Sequence, residues 1–185
     1  MSHRICPWWL GYVLASPIRR WMQDPVQIVS PYVREGMTVL EPGPGMGFFT
    51  IPMAGLVGAS GRVIAVDIQP KMIAVLKRRA AKADLVNRID ARVAPADTMA
   101  IDDLAGKADL ALAFAVVHEF PDAQRFFAEV SRALKSGGTV LFAEPRGHVH
   151  EQNFDAELQA AAATGLATIS RPTIARSHAA LLKKA

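Results

Sequence analysis

Three glycines at alternate positions, Gly43, Gly45 and Gly47, come directly after Val39-Leu40-Glu41-Pro42. No other run in the chain constrains the fold as strongly. The apolar pair ends a strand and puts Glu41 at its carboxyl tip, and a short helix is expected over roughly 48–57, closed by Gly58. Glycine has no Cβ, so its backbone can take positive φ and a ligand can approach it closely. A plain tight turn between strand and helix is the competing reading of the glycines alone. The rest of the chain has to decide.

Beyond Gly58 the alternation of strand and helix recurs. Arg62 to Asp67 is a β-branched run suited to a buried parallel strand, and Pro70 opens a helix at its first turn, where the missing N–H costs nothing. Ile89 to Ala94 and Asp109 to Phe114 read as a third and fourth strand. Pro121-Asp122 opens a helix in which Phe126, Val130 and Leu134 repeat at helical spacing. Ser136-Gly137-Gly138 is expected to stop that helix before a fifth strand, Thr139 to Ala143, ending at Glu144-Pro145. A helix over 151–164 ends at Gly165, a natural C-cap. Apolar stretches near 166–170 and 177–182 flank Arg171-Pro172 and form a sixth strand and an antiparallel seventh. Strands alternating with helices require parallel pairing with right-handed crossovers. The fold class is therefore α/β: a doubly wound, mostly parallel seven-stranded sheet with an antiparallel last strand and helices on both faces.

With Glu41 in front of Gly-x-Gly-x-Gly, the chain resembles the Rossmann-like (class I) methyltransferases that use S-adenosylmethionine. The Gly-x-Gly-x-x-Gly turn of NAD enzymes would need a glycine where Phe48 stands. The resemblance spans about residues 36–184 and implies S-adenosylmethionine as cofactor, with Glu41, Gly43, Pro44, Gly45 and Gly47 cradling it. Doubly wound sheets bind ligands at the carboxyl ends of their strands. Asp67 ends the second strand twenty residues after Gly47 and is expected to take the ribose hydroxyls, a helix N-cap being the competing role. Ile68 would pack on one face of the adenine, with Ala96 and Asp97 edging it from the other side. The family pattern often has Gly-Asp-Ala where this chain has Ala94-Pro95-Ala96, which puts the adenine-facing carboxylate in question. Phe114 falls where the family lines the methionine end.

His118, just past the fourth strand, is the candidate catalytic residue, because an imidazole titrates near neutrality and can orient or deprotonate a nucleophile. His148 and His150 come after the fifth strand; His148 is a candidate for the substrate rim, and two histidines do not make a metal site. No metal is expected.

Composition narrows the classes. With 51% hydrophobic residues in 185, a sizeable core forms and global disorder is excluded. No apolar run reaches membrane-spanning length, and Pro7 and Pro17 interrupt what a signal peptide would need. The one cysteine, Cys6, rules out an internal disulfide and a multi-cysteine site, so a cytoplasmic location is expected and cysteine-dependent arsenic or cytosine-C5 methylation is set aside. After the fourth strand Ala115-Val116-Val117-His118 lacks the Asn/Asp-Pro-Pro-aromatic motif of amino-methylating DNA enzymes, and no DNA partner is expected. The +4 net charge is scattered in pairs rather than striped, and Lys77 to Lys82 reads as a solvated helix face.

Residues 1–35 stand apart. Trp8, Trp9, Tyr12 and Trp21 crowd them, Asp24-Pro25 starts a helix over 25–34, and Pro31 breaks or kinks it. The expected organisation is an aromatic-rich cap segment over 1–35 and then the methyltransferase domain over 36–185. Trp8, Trp9 and Tyr12 would then meet a small, apolar or planar methyl acceptor. Four readings stay open beside that one. They are an RNA- or ribosome-associated methyltransferase, a non-catalytic cofactor-binding interaction module, an extra helix that packs the aromatics against the sheet's flank, and a dimer or membrane contact through the aromatics.

Overall fold

The computed structural model describes residues 23–185, and the aromatics Trp8, Trp9, Tyr12 and Trp21 lie outside the described residues. Among the described residues seven strands, numbered along the chain β1 (Thr38–Pro42), β2 (Arg62–Asp67), β3 (Ile89–Val93), β4 (Ala108–Phe114), β5 (Leu134–Pro145), β6 (Leu166–Ser170) and β7 (Ser177–Lys184), form one sheet in the order β3-β2-β1-β4-β5-β7-β6. The α/β class read from the sequence is the one observed.

In the first half of the chain, β1 (Thr38–Pro42), β2 (Arg62–Asp67) and β3 (Ile89–Val93) pair in parallel, Leu40 opposite Ile64 and Ala65 opposite Ala91. Val63 to Asp67 are all buried, the signature of a strand covered on both faces. The helix Pro70–Lys82 turns Met72, Ile73, Leu76 and Ala80 inward, and Ile73 and Leu76 pack with Ala65 against Ile51 and Ala91. The helix after the glycine turn is shorter than expected, Thr50–Leu56, because residues 45–49 complete the turn before helical bonding begins. The helix expected over 25–34 is likewise short. Asp24 caps Pro25–Val29 by accepting from Val26 N at 2.9 Å, and the helix ends at Val29, before Pro31, rather than at residue 34.

In the second half, β4 (Ala108–Phe114) and β5 (Leu134–Pro145) are parallel, while β7 (Ser177–Lys184) runs antiparallel to both β5 and β6 (Leu166–Ser170). Asp122 caps the helix Ala123–Ala133 through a 3.0 Å bond from Arg125 N. Leu134, expected as the last residue of that helix's apolar stripe, instead begins β5. Its pairing with Ala108 jumps to Thr139 opposite Leu110, so the glycine pair is looped out within the strand rather than standing before it. An aromatic ladder fills this half: Phe120, Phe126, Phe127, Phe142, Phe154 and His178, with successive centroids between 4.8 and 5.5 Å. The helix Glu151–Ala162 contributes Phe154, Leu158 and Ala161 to the core. Among the described residues no helix is long and apolar enough to cross a membrane.

Candidate functional site

Two groups of side chains stand at strand carboxyl ends, one in each half of the chain. In the first half the glycine turn leaves β1 with Gly43, Gly45 and Gly47 all at positive φ. Gly43 N donates to Val66 O at 2.9 Å and Gly47 N to Pro44 O at 2.9 Å, so the turn is tied to the end of β2 and to itself. The glycines differ in why they must be glycine. A Cβ on Gly47 would lie 2.5 Å from Leu76 Cδ1, so this position serves close packing of turn on helix. A Cβ on Gly45 would meet nothing within 4 Å; its side of the turn faces open space, as a ligand cradle requires.

Two carboxylates back this turn. Glu41 is buried and accepts a hydrogen bond from Thr50 Oγ1 at 2.5 Å. Burial pushes its carboxyl up to about 8, against the lowering effect of the Thr50 bond, and the neighbouring charge of Asp67 adds to the rise. Asp67 is buried too and sits above the usual carboxylate range, because desolvation outweighs the backbone N–H groups of Gln69 and Gly45 that hold it. Its Oδ1 accepts from Gln69 N at 2.8 Å, the turn into the Pro70 helix. The N-cap of that helix is Gln69, with no side-chain cap bond, so Asp67 braces the turn that leads into the helix and the glycine turn without itself capping the helix. Ala94 N bonds Asp67 O at 3.0 Å and fixes the end of β3 beside it. Ile68 is half-buried, while Ala96 and Asp97 lie exposed in the turn after β3.

The second group comes after β4. Phe114 ends the strand, buried, and Ala115 takes φ +55°, a left-handed conformation rare for a residue with a Cβ. That kink delivers the short 3-10 turn Val117–Glu119. Glu144, at the end of β5 and fully shielded, receives three N–H groups. Its Oε1 takes Val117 N at 2.8 Å and His118 N at 3.3 Å, and its Oε2 lies 2.6 Å from His118 Nδ1. His118 is pulled down by burial, yet Glu144, Glu119 and Glu157 together hold it above the usual histidine range. The exposed His148 ring stands 6.1 Å from His118, so these two candidates do come together, whereas His150 begins the helix Glu151–Ala162. Among the described residues no group of three or more His, Cys, Asp or Glu is placed to hold a metal ion.

Glu144, Glu157 and Thr50 were not among the sequence candidates. Glu144 carried a readable signal, an acidic residue closing a strand as Glu41 and Asp67 do. Glu157 carried another: it occupies an inward position between Phe154 and Leu158 on an otherwise apolar stripe.

A family model described as a methyltransferase domain matches residues 33–177. The arsenite methyltransferase of Halobacterium salinarum is 33% identical over 109 residues, covering 59% of this chain and 27% of that protein. The ubiquinone/menaquinone biosynthesis C-methyltransferase UbiE of a Marinomonas species is 29% identical over 126 residues, 66% of this chain and 49% of that protein. The chain thus spans between about a quarter and a half of these relatives' length. Among solved structures, a SAM-dependent methyltransferase from Aquifex aeolicus superposes with a TM-score of 0.86 at 19% identity, covering 98% of this chain and 100% of that one, which is a likeness of fold.

Proposed function

The chain belongs to the methyltransferase-domain family, and from that premise we propose that it transfers a methyl group from S-adenosylmethionine to a small organic acceptor. The observation that carries the reading is the glycine turn with its open face at Gly45, backed by the buried carboxylates Glu41 and Asp67. When bound, the cofactor supplies an activated methyl group on a sulfonium centre. The two carboxylates suit the rest of that molecule: a ligand that brings ammonium and sulfonium charge and hydroxyl donors offsets two desolvated acids. Asp67 would take the ribose hydroxyls and Gly43, Pro44, Gly45 and Gly47 would let the ligand lie against backbone. Ile68, Ala96 and Asp97 would edge the base, and Phe114 would line the methionine end. With an activated donor, what the protein must add is alignment and exclusion of water.

The acceptor is read from chemistry. Soft thiophilic acceptors are held by thiolates, and the chain's one cysteine is Cys6, which favours an organic acceptor over arsenite. Trp8, Trp9 and Tyr12 supply planar apolar surface for it, His148 a polar rim, and His118 the group beside the reacting atom. Titration calorimetry tests the reading directly. S-adenosylmethionine and S-adenosylhomocysteine should bind and NAD should not; binding of NAD alone overturns it. A variant lacking residues 1–22 tests the cap: it should still bind the cofactor yet lose methyl transfer, and full turnover would remove the cap from the proposal.

A further inference from the structure

One polar atom of the second group is unexplained by its surroundings. Glu157 Oε2 is buried and has no hydrogen-bond partner among the described residues. An orphaned carboxylate oxygen is costly to bury, and a chain that needed only packing there would carry leucine or alanine, as the same helix does at Leu158 and Ala161. Its neighbours are the shielded Glu144 and the imidazole of His118, whose charges it feels with opposite sign.

Resting on the reading that His118 faces the methyl acceptor, we infer that Glu157 completes a proton-holding group with His118 and Glu144, acting as a positioning residue that readies His118 to take the acceptor's proton. The hydrogen bonds define the direction. A carboxylate that accepts Val117 N and His118 N through Oε1 presents an acceptor at Oε2, so His118 Nδ1–H donates to it and the lone pair is left on Nε2. An O–H, N–H or C–H acceptor that gains a methyl group must lose a proton. Its bond to hydrogen breaks with the electron pair remaining on the acceptor, where it would bond the methyl carbon as the sulfonium C–S pair goes to sulfur, and the Nε2 lone pair forms the new N–H bond. The imidazolium charge is then balanced by Glu144 and Glu157, and the proton leaves to water from a ring that is 25% exposed. A second carboxylate deepens the well for that proton without occupying Nε2.

Burial and the charge of Glu144 push Glu157 up to about 7, while His118 opposes the rise. The titratable groups around His118 are Glu119 on its own turn, Glu144 on β5, Glu157 on the helix and His148 in the loop. His178, opposite Glu144 on β7, stacks on Phe154.

NMR titration of the full chain, with carbon-13 on glutamate and histidine, tests this without any acceptor. In the unsubstituted protein Glu157 and His118 should share coupled midpoints, with Glu157 titrating far above a free side chain. Glu157→Gln should lower the His118 midpoint, and His118→Gln should raise that of Glu157. An ordinary Glu157 titration, or a His118 midpoint indifferent to Glu157→Gln, overturns the inference; the first needs no variant to fold. Cofactor binding measured separately tells failure of this group from failure of the methyltransferase reading.

Discussion

Thr50 Oγ1 donates to Glu41 Oε2 across 2.5 Å, joining the first residue of a helix to the end of the strand nine residues before it. The glycine turn is closed by this bond from behind. Among the described residues it leaves Glu41 a buried acid hydrogen-bonded by Thr50, and that burial raises its carboxyl to about 8.

Stability should fall as pH rises from about 4.5 to about 8. An unfolded Glu41 ionises near 4.5 and the folded one near 8, so the folded state holds an extra proton across that window. The stabilisation is full below the lower value and lost as pH passes the upper one, at no more than about 1.4 kcal/mol per pH unit for one group. Glu157 acts with the same sign up to about 7. Urea midpoints for the protein and for Glu41→Gln should show a flatter slope in the variant, since glutamine keeps an acceptor for Thr50. Equal slopes would show that Glu41 is not the group responsible.

Binding a cation-bearing cofactor at neutral pH should release protons. A ligand ammonium or sulfonium favours the ionised form of Glu41 and Asp67, both raised in the free protein. Calorimetry of S-adenosylmethionine in buffers of different ionisation heat reads the proton count, and Glu41→Gln should reduce it. Heats independent of buffer would contradict the assignment.

Asp67→Asn should separate the two roles of that side chain. Asparagine can still accept from Gln69 N, so the fold is kept, whereas the charge proposed for the ribose hydroxyls is gone. Affinity for S-adenosylhomocysteine should fall by about 1.5–3 kcal/mol, the scale of charge-assisted hydrogen bonds. An unchanged affinity would leave Asp67 with only its bond to the Gln69 N–H.

Gly45→Val and Gly47→Ala should fail in different ways. The valine enters open space and should abolish cofactor binding, with a stability loss limited to about 1–2 kcal/mol of left-handed strain. The alanine meets Leu76 and should lower the melting temperature of the free protein. If the valine variant is folded and still binds, the turn is only structural.

The strands and the glycine turn were legible because their signals are local. β-branched runs, a proline at a first helical turn and alternating glycines each act within a few residues, and β2 was read to both its ends, Arg62 and Asp67. Boundaries failed where a neighbour overrode the pattern. Leu134 continues the helical repeat of Phe126 and Val130, but pairing with Ala108 draws it into β5. The His118 group was half legible: an imidazole after a strand is visible in the chain, while its partner Glu144 lies 26 residues further on.

By itself, then, the sequence determined which segments become strands and helices, that they alternate as an α/β sheet, and that Glu41 and Asp67 close strands beside a glycine turn. Those outcomes depend on backbone conformation and hydrophobic period, properties of residues close together in the chain. Only the tertiary structure decided that Glu144 would orient His118, that one Glu157 oxygen would find no hydrogen-bond partner among the described residues, and that burial would push the Glu41 carboxyl up to about 8. Each of these is a matter of desolvation and charge, set by atoms that the folded sheet brings together from distant parts of the chain.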